Sequence, residues 1–305
     1  MSPEVGSLDR EAFGRLVAQD PDAGVAMLVD LARATDAALR RLARALAPEL
    51  LLALVRVERR QSAPGVARLA PTRDASAELD VDATVESLAA SPFTLAANSS
   101  AGVVPAGSGS PSPQRKPLAL RTNDLSFRTW RRAARAYVLV VDASGSVTGT
   151  PPLSCAVVTA AALADRVRPP EEIAVVAFWS VAVLLRPVAS REPPSAVIDS
   201  LLSLRGGDTT DLAAGLRLGI AQAGAARAPA RDLVVLTDGM ANAGSDPLAV
   251  AATAPAAGAR VHVLSLSREE EAVAACRNLA SAGGGRAALL LRPSDAPAAL
   301  SELLD

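Results

Sequence analysis

Five oxygen-bearing side chains between residues 142 and 238 are spaced so that they could share one hard cation. Asp142, Ser144 and Ser146 fall at alternate positions of a tight loop in Val138-Leu-Val-Val-Asp142-Ala-Ser144-Gly-Ser146. Carboxylate and hydroxyl oxygens converging on a point suit Mg²⁺, Mn²⁺ or Ca²⁺ rather than softer metals. Two more loops carry similar ligands. One is the glycine-rich turn Gly206-Gly-Asp208-Thr209-Thr210-Asp211-Leu212, which feeds a helix; the other is Leu233-Val-Val-Leu-Thr237-Asp238-Gly239, an apolar run that stops at an acid. Each piece alone has a plain structural use, as a helix cap or a turn. All three at the same end of one sheet would be a cation site built from Asp142, Ser144, Ser146, a threonine and Asp238.

The elements around these loops supply such a sheet. Val138–Val141 is a short uninterrupted apolar run, as expected of a parallel strand buried on both faces. From Tyr137 onward the pattern predicts strands near 136–142, 172–178, 182–186, 232–237, 260–266 and 287–291. Helices are expected near 152–167, 194–203, 211–226, 246–257, 269–281 and 295–304. This alternation defines an α/β fold with a doubly wound, mostly parallel, Rossmann-like sheet and a short antiparallel edge strand at Val181–Arg186. Ligands of such sheets bind beyond the carboxyl ends of the strands, where the three loops would lie.

Upstream, Leu8 to about Glu58 has helical periodicity, with a break at Asp20-Pro21 and with Pro48 expected to end a helix. Leu28, Leu31, Leu39, Leu42 and Leu46 share a face, and Arg33, Arg40, Arg41 and Arg44 read as a solvated basic side. Gln61–Asp74 reads as a loop, and Glu78 onward as an acidic segment entering a helix. Asp80 and Asp82 lack the glycine and distal glutamate of a calcium loop, so a solvated turn or helix cap is the expectation. Ala96–Pro117, rich in Ser, Gly and Pro, reads as a linker. The division expected along the chain is therefore a helical N-terminal region at 1–77, a connecting segment at 78–117 and the sheet domain at 118–305.

Composition removes several classes of function. Of 31 basic residues the only lysine is Lys116, outside any strand-to-helix turn, so no phosphate-binding G-x-x-x-x-G-K-[ST] loop exists. Cys155 and Cys276 are far apart, and with His262 the only histidine neither a zinc site nor a Ser-His or Cys-His pair can be assembled. A net charge of −1 gives no general pull toward nucleic acid or anionic membrane. The isolated thiols, and an amino terminus without a basic start and apolar core, lead to the expectation of a soluble cytoplasmic protein that meets no membrane.

The ordered set D-x-S-G-S, G-G-x-T-T-D-L and T-D-G resembles the von Willebrand factor A (VWA) domain and its metal-ion-dependent adhesion site. That resemblance implies that Ser144, Ser146 and Thr210 bind the metal directly, with Asp142 and Asp238 acting directly or through water. Thr210 is preferred to Thr209 because it immediately precedes the Asp-Leu that opens the helix. Leu79-Asp-Val-Asp-Ala-Thr84, Asp124-Leu-Ser-Phe-Arg128 and Arg292-Pro-Ser-Asp-Ala-Pro297 are similar to one bacterial branch, the CoxE-like proteins that accompany MoxR-type AAA+ ATPases. The function implied is a non-enzymatic, metal-dependent protein-binding module, with Mg²⁺ favoured and Mn²⁺ or Ca²⁺ as alternatives. Its partner would supply an Asp or Glu and would be a MoxR-type ATPase or its client. The rival readings are a Mg²⁺-dependent phosphohydrolase with Asp142 as nucleophile, which lacks the second acid and the lysine that such enzymes use, and a scaffold with an empty site.

Overall fold

The computed structural model describes residues 10–34, 36–59, 68–72, 78–90, 125–131, 134–145, 150–204, 206–207 and 209–304. They fall into two compact units, one within Met1–Gly65 and Ala133–Asp305 and the other within Val66–Arg132.

The larger unit is built on a six-stranded sheet of β4 (Arg135–Asp142), β5 (Glu172–Phe178), β6 (Ala182–Arg186), β7 (Ala230–Thr237), β8 (Ala259–Ser265) and β9 (Gly284–Leu289). The spatial order is β6-β5-β4-β7-β8-β9. All pairings are parallel except β5 with β6. The expected doubly wound sheet and its antiparallel edge strand are thus both present. Because successive side chains of a strand point to opposite faces, β4 sends Tyr137, Leu139 and Val141 into one core and Ala136, Val138 and Val140 into the other. Helix α7 (Leu212–Ala225) covers the second face at close range. A Cβ at Gly215 would come within 2.6 Å of the Phe178 ring, so this helix can approach β5 only with glycine there.

On the first face lie α5 (Thr150–Arg166), α6 (Ala196–Leu202) and α10 (Ala296–Leu304), together with three N-terminal helices, α1 (Arg10–Gln19), α2 (Pro21–Ala32) and α3 (Ala37–Arg59). The division along the chain therefore differs from the one expected. Phe13, Val25, Leu28, Val29, Leu51 and Val55 belong to the same buried cluster as Tyr137, Leu139, Val157 and Leu300. Polar links join the same elements: Arg56 Nε donates to Asp165 of α5 at 2.9 Å, and Ser294, just before α10, donates its amide and hydroxyl to Asp22 at 2.8 and 3.0 Å.

Pro48 also departs from expectation, since it lies inside α3. An interior proline costs about 3 kcal/mol. Burial of Leu51 and Val55 in the turns that follow returns about 1.5–3 kcal/mol each and outweighs it. At the break before α2, Asp20 caps the helix by accepting from the Ala23 amide at 3.0 Å, with Pro21 in the first turn.

The smaller unit holds a three-stranded antiparallel sheet, β1 (Arg68–Thr72), β3 (Phe127–Arg131) and β2 (Glu78–Leu79), with helix α4 (Val81–Ala90). Residues assigned by sequence to a loop (68–72) and to the sheet domain (127–131) pair with each other here, and Pro71 sits on an edge strand, where the absence of its N–H is tolerated. Asp80 caps α4 by accepting from the Ala83 amide at 2.9 Å, as one of the two expected readings had it. The Ala96–Pro117 segment lies outside the described residues, as do Ser146, Asp124 and Asp208.

Candidate metal centre

The register of the central strands sets the first contact of the site. β4 and β7 are parallel neighbours with Val141 opposite Leu236, which brings the next residues, Asp142 and Thr237, together. The Thr237 hydroxyl donates to Asp142 Oδ2 at 2.8 Å, and the Ser144 amide donates to Oδ1 at 2.9 Å. Asp142 is only 1% exposed. Burial pushes its carboxyl above the ordinary carboxylate range and the charge of Asp238 adds to the rise, while the Ser144 hydroxyl and amide and the Thr237 hydroxyl pull it back.

The other two loops close on the first. Ser144 forms a parallel bridge with Gly207 of the Gly-Gly turn, and the Ala143 amide donates to the Phe178 carbonyl at 2.8 Å. Beyond that turn, the Thr210 amide donates to Asn242 Oδ1 at 2.8 Å, and the Asn242 and Ala243 amides both donate to the Thr210 carbonyl at 3.2 Å. Asp211 accepts from the Ala214 amide at 2.8 Å and so caps α7, and its own amide donates to the Trp179 carbonyl. Three loops are therefore tied pairwise into a ring at the carboxyl end of the sheet: 142–145 to 206–207, 142 to 237, and 210 to 242–243.

Of the residues expected in the site, Asp142, Ser144 and Thr210 are buried in this ring. Asp238 is half-buried beside it and accepts from the Met240 amide at 3.0 Å. Ser146 lies outside the described residues. Thr209 is exposed, in contrast to Thr210. Two residues of the ring had no role assigned from sequence. Thr237 sits in the T-D-G motif itself, and its position one residue after the strand pair Val141–Leu236 is the signal that would have found it. Asn242 lies in a polar loop with no motif, and nothing in its type or spacing announces it.

Among the described residues, no group of three or more His, Cys, Asp and Glu that could hold a metal ion is found. The oxygen-bearing side chains on this ring are two carboxylates and the Ser144 and Thr210 hydroxyls, a set that fits a hard divalent cation. The charge that Asp142 feels from a neighbour is another negative one. A cation at this point would offset that repulsion, so the donor chemistry fits the group implied by the motif.

No protein-family model matches the chain, nor does any curated protein. Solved structures similar to it include an aerotolerance-related membrane protein from Bacteroides fragilis, at 20% identity over 56% of this chain and 98% of that one, with a TM-score of 0.45. The conserved hypothetical protein BatB from Bacteroides thetaiotaomicron is similar at 18% identity over 55% and 96% of the two chains, TM-score 0.47. A von Willebrand factor type A structure from Catenulispora acidiphila is similar at 21% identity over 57% and 43%, TM-score 0.44. Among the described residues no helix is long and apolar enough to cross a membrane.

Proposed function

We propose that this chain is a VWA-type protein-interaction module whose site takes a divalent cation and, through it, an acidic residue of a partner. The observation that carries the reading is the ring of three loops around Asp142: a buried carboxylate that accepts from hydroxyls and a backbone amide, next to a second carboxylate. Asp142, Ser144, Ser146, Thr210 and Asp238 would hold the ion, with Mg²⁺ favoured for its small octahedral shell and Mn²⁺ or Ca²⁺ able to replace it. When bound, it offers an incoming carboxylate a Lewis-acidic position that hydroxyl ligands leave undercompensated.

The chain's own residues prepare that position. Thr237 and the Ser144 amide fix both oxygens of Asp142, and the strand pair β4–β7 sets Asp142 beside Thr237, the residue that precedes Asp238. A phosphohydrolase with Asp142 as nucleophile is the weaker reading, because Ser144 stands where such enzymes carry a second acid and the lone lysine, Lys116, lies outside these loops. The reading we favour is a binding module rather than an enzyme. The partner class proposed is a MoxR-type AAA+ ATPase or its client, met in the cytoplasm.

The test is a Mn²⁺ titration by calorimetry or water relaxation on wild type and Asp142→Ala, followed by capture of the cognate ATPase with and without chelator. Wild type should show one site that the variant lacks, and capture should be abolished by chelator. Identical titrations would sink the metal assignment; capture that survives chelator would sink the bridging role.

A further inference from the structure

The geometry points to Asn242 as the positioning residue of this site: a latch, carried on the same loop as Asp238, that holds the Thr210 peptide so that threonine and aspartate are presented as one unit. The inference rests on the metal reading for its consequence, and on the hydrogen bonds alone for the latch.

Thr210 is buried, and its peptide is gripped from both sides. Its amide donates to the Asn242 side chain at 2.8 Å, and its carbonyl accepts from two successive amides, Asn242 and Ala243, at 3.2 Å. Further along the strap, Gly244 has φ +84°, and a Cβ there would collide with the Asp211 carboxylate. That carboxylate is the cap of α7. Beyond it, the Ser245 hydroxyl accepts from Arg217 of α7 at 2.7 Å. The strap from Asp238 to Ser245 therefore follows the entry of α7 over residues 210, 211 and 217, and Asn242 is its one side-chain bond to the Thr210 peptide. Any movement that brings the Thr210 hydroxyl toward or away from a cation must carry this loop with it or break the Asn242 bond. Asn242 itself is exposed, so its replacement leaves both buried cores untouched.

The experiment uses the full chain in two arms. In the metal-free protein, hydrogen exchange by NMR should show the Thr210 amide exchanging at least about tenfold faster in Asn242→Ala, with the amides of β4 and β7 unchanged. Asn242→Asp, which keeps the acceptor oxygen, should restore slow exchange. In the second arm, Asn242→Ala should weaken Mn²⁺ binding about tenfold in the wild-type background and less than about twofold in a Thr210→Ala background, because a residue that acts through Thr210 has nothing left to position. Gly244→Ala, which pushes the strap off Asp211, should reproduce the exchange phenotype. Unchanged Thr210 exchange in Asn242→Ala, or equal Mn²⁺ losses in both backgrounds, overturns the inference. Identical Mn²⁺ titrations of wild type and Asp142→Ala would instead sink the metal reading, and the latch would then stand or fall on exchange.

Discussion

The two ends of the central sheet each bury an aspartate, and they treat it in opposite ways. At the amino end Asp232, at the start of β7, is 0% exposed and is met by guanidinium groups. Arg260 reaches Oδ1 at 2.7 and 3.0 Å and Arg135 reaches Oδ2 at 3.2 Å, with His262 Nε2 at 3.4 Å from Oδ1. The His262 contact is long and poorly directed: it lies within ion-pair range, yet Nε2 makes no hydrogen bond of good geometry. Arg135 and Arg286 also donate to the Leu304 and Leu303 carbonyls and so fasten the end of α10. At the carboxyl end, Asp142 is equally buried, and among the described residues the donors it accepts from are neutral, with Asp238 beside it. Burial raises the carboxyl pKa at both positions; at Asp232, His262, Arg260 and Arg135 outweigh it and the net shift is downward, while at Asp142 the net shift is upward. Among the described residues, one aspartate is met by cationic side chains and the other by neutral donors and a second carboxylate.

The largest effect should follow from breaking the compensated end. Asp232→Asn keeps the shape and removes the charge that three cationic or polar side chains address. Losing one partner of a fully buried pair costs about 3–5 kcal/mol. Arg260 is half exposed and can turn to water, so about 2–3 kcal/mol is the better expectation here. Thermal denaturation should show a fall of the order of 5–10 °C. A change under about 1 °C would mean that the network contributes little and that the contrast between the two ends is not energetic.

The opposite end should respond to metal instead. Mn²⁺ at about a hundred times its dissociation constant should stabilise wild type by about 2.7 kcal/mol. Asp142→Asn should show none of that rise, while without metal it should melt within about 1 kcal/mol of wild type, because it removes a buried carboxylate that stands next to the half-buried Asp238. Asp232→Asn should keep the full Mn²⁺ rise, since the sites lie at opposite ends of the strands and distant effects add. A Mn²⁺ response lost in Asp232→Asn would show that the ends are coupled.

Acid should separate them more mildly. The folded-state pKa of Asp232 lies below its unfolded value of about 3.9. The unfolded state therefore binds the extra proton, and the stabilisation from Asp232 is fully present above about pH 4 and is lost as pH falls through the folded pKa. Below about pH 4 the melting temperature of wild type should fall more steeply than that of Asp232→Asn, and the two curves should converge. Parallel curves across that range would deny the network its electrostatic role.

How far these features could be read in the sequence depends on whether they are local. The strands, most helices after Tyr137 and the three oxygen-bearing loops were legible because each is a short run of apolar residues ending in a polar loop, a pattern that strand and helix periods impose directly; the helix expected near 246–257 is shorter, Pro247–Ala251. The preference for Thr210 over Thr209 came from the resemblance, through one adjacent dipeptide; the structure buries Thr210 and exposes Thr209. The docking of α1–α3 was not, because an amphipathic stripe such as Leu28 and Leu51 states that it will be buried but not against what. The β1–β3 pairing joins residues some sixty positions apart through strands of five residues, one containing Pro71, and no local signal marks it. Asp232 looked like an ordinary strand residue. Its importance comes from Arg135 and Arg260, which are neighbours only once the parallel register of β4, β7 and β8 is known.

Thr237 tests the comparison on its smallest scale, since it is the side chain through which β7 reaches the uncompensated aspartate. Its hydroxyl donates to Asp142 Oδ2 and accepts from the Gly239 amide at 3.1 Å, so it also shapes the turn that carries Asp238. Thr237→Val keeps the volume and β-branching but removes both bonds. The loss should be about 1–2 kcal/mol in metal-free protein, the net worth of two hydrogen bonds rather than of an ion pair. Mn²⁺ affinity should fall by less than about tenfold, because Asp142 keeps its bonds to Ser144 and remains in place. Thr237→Ser should restore most of both. If Thr237→Val instead cost as much as Asp232→Asn, Asp142 would owe its position to this one hydroxyl, and the carboxyl end of the sheet would be held as firmly by neutral donors as the amino end is by arginine.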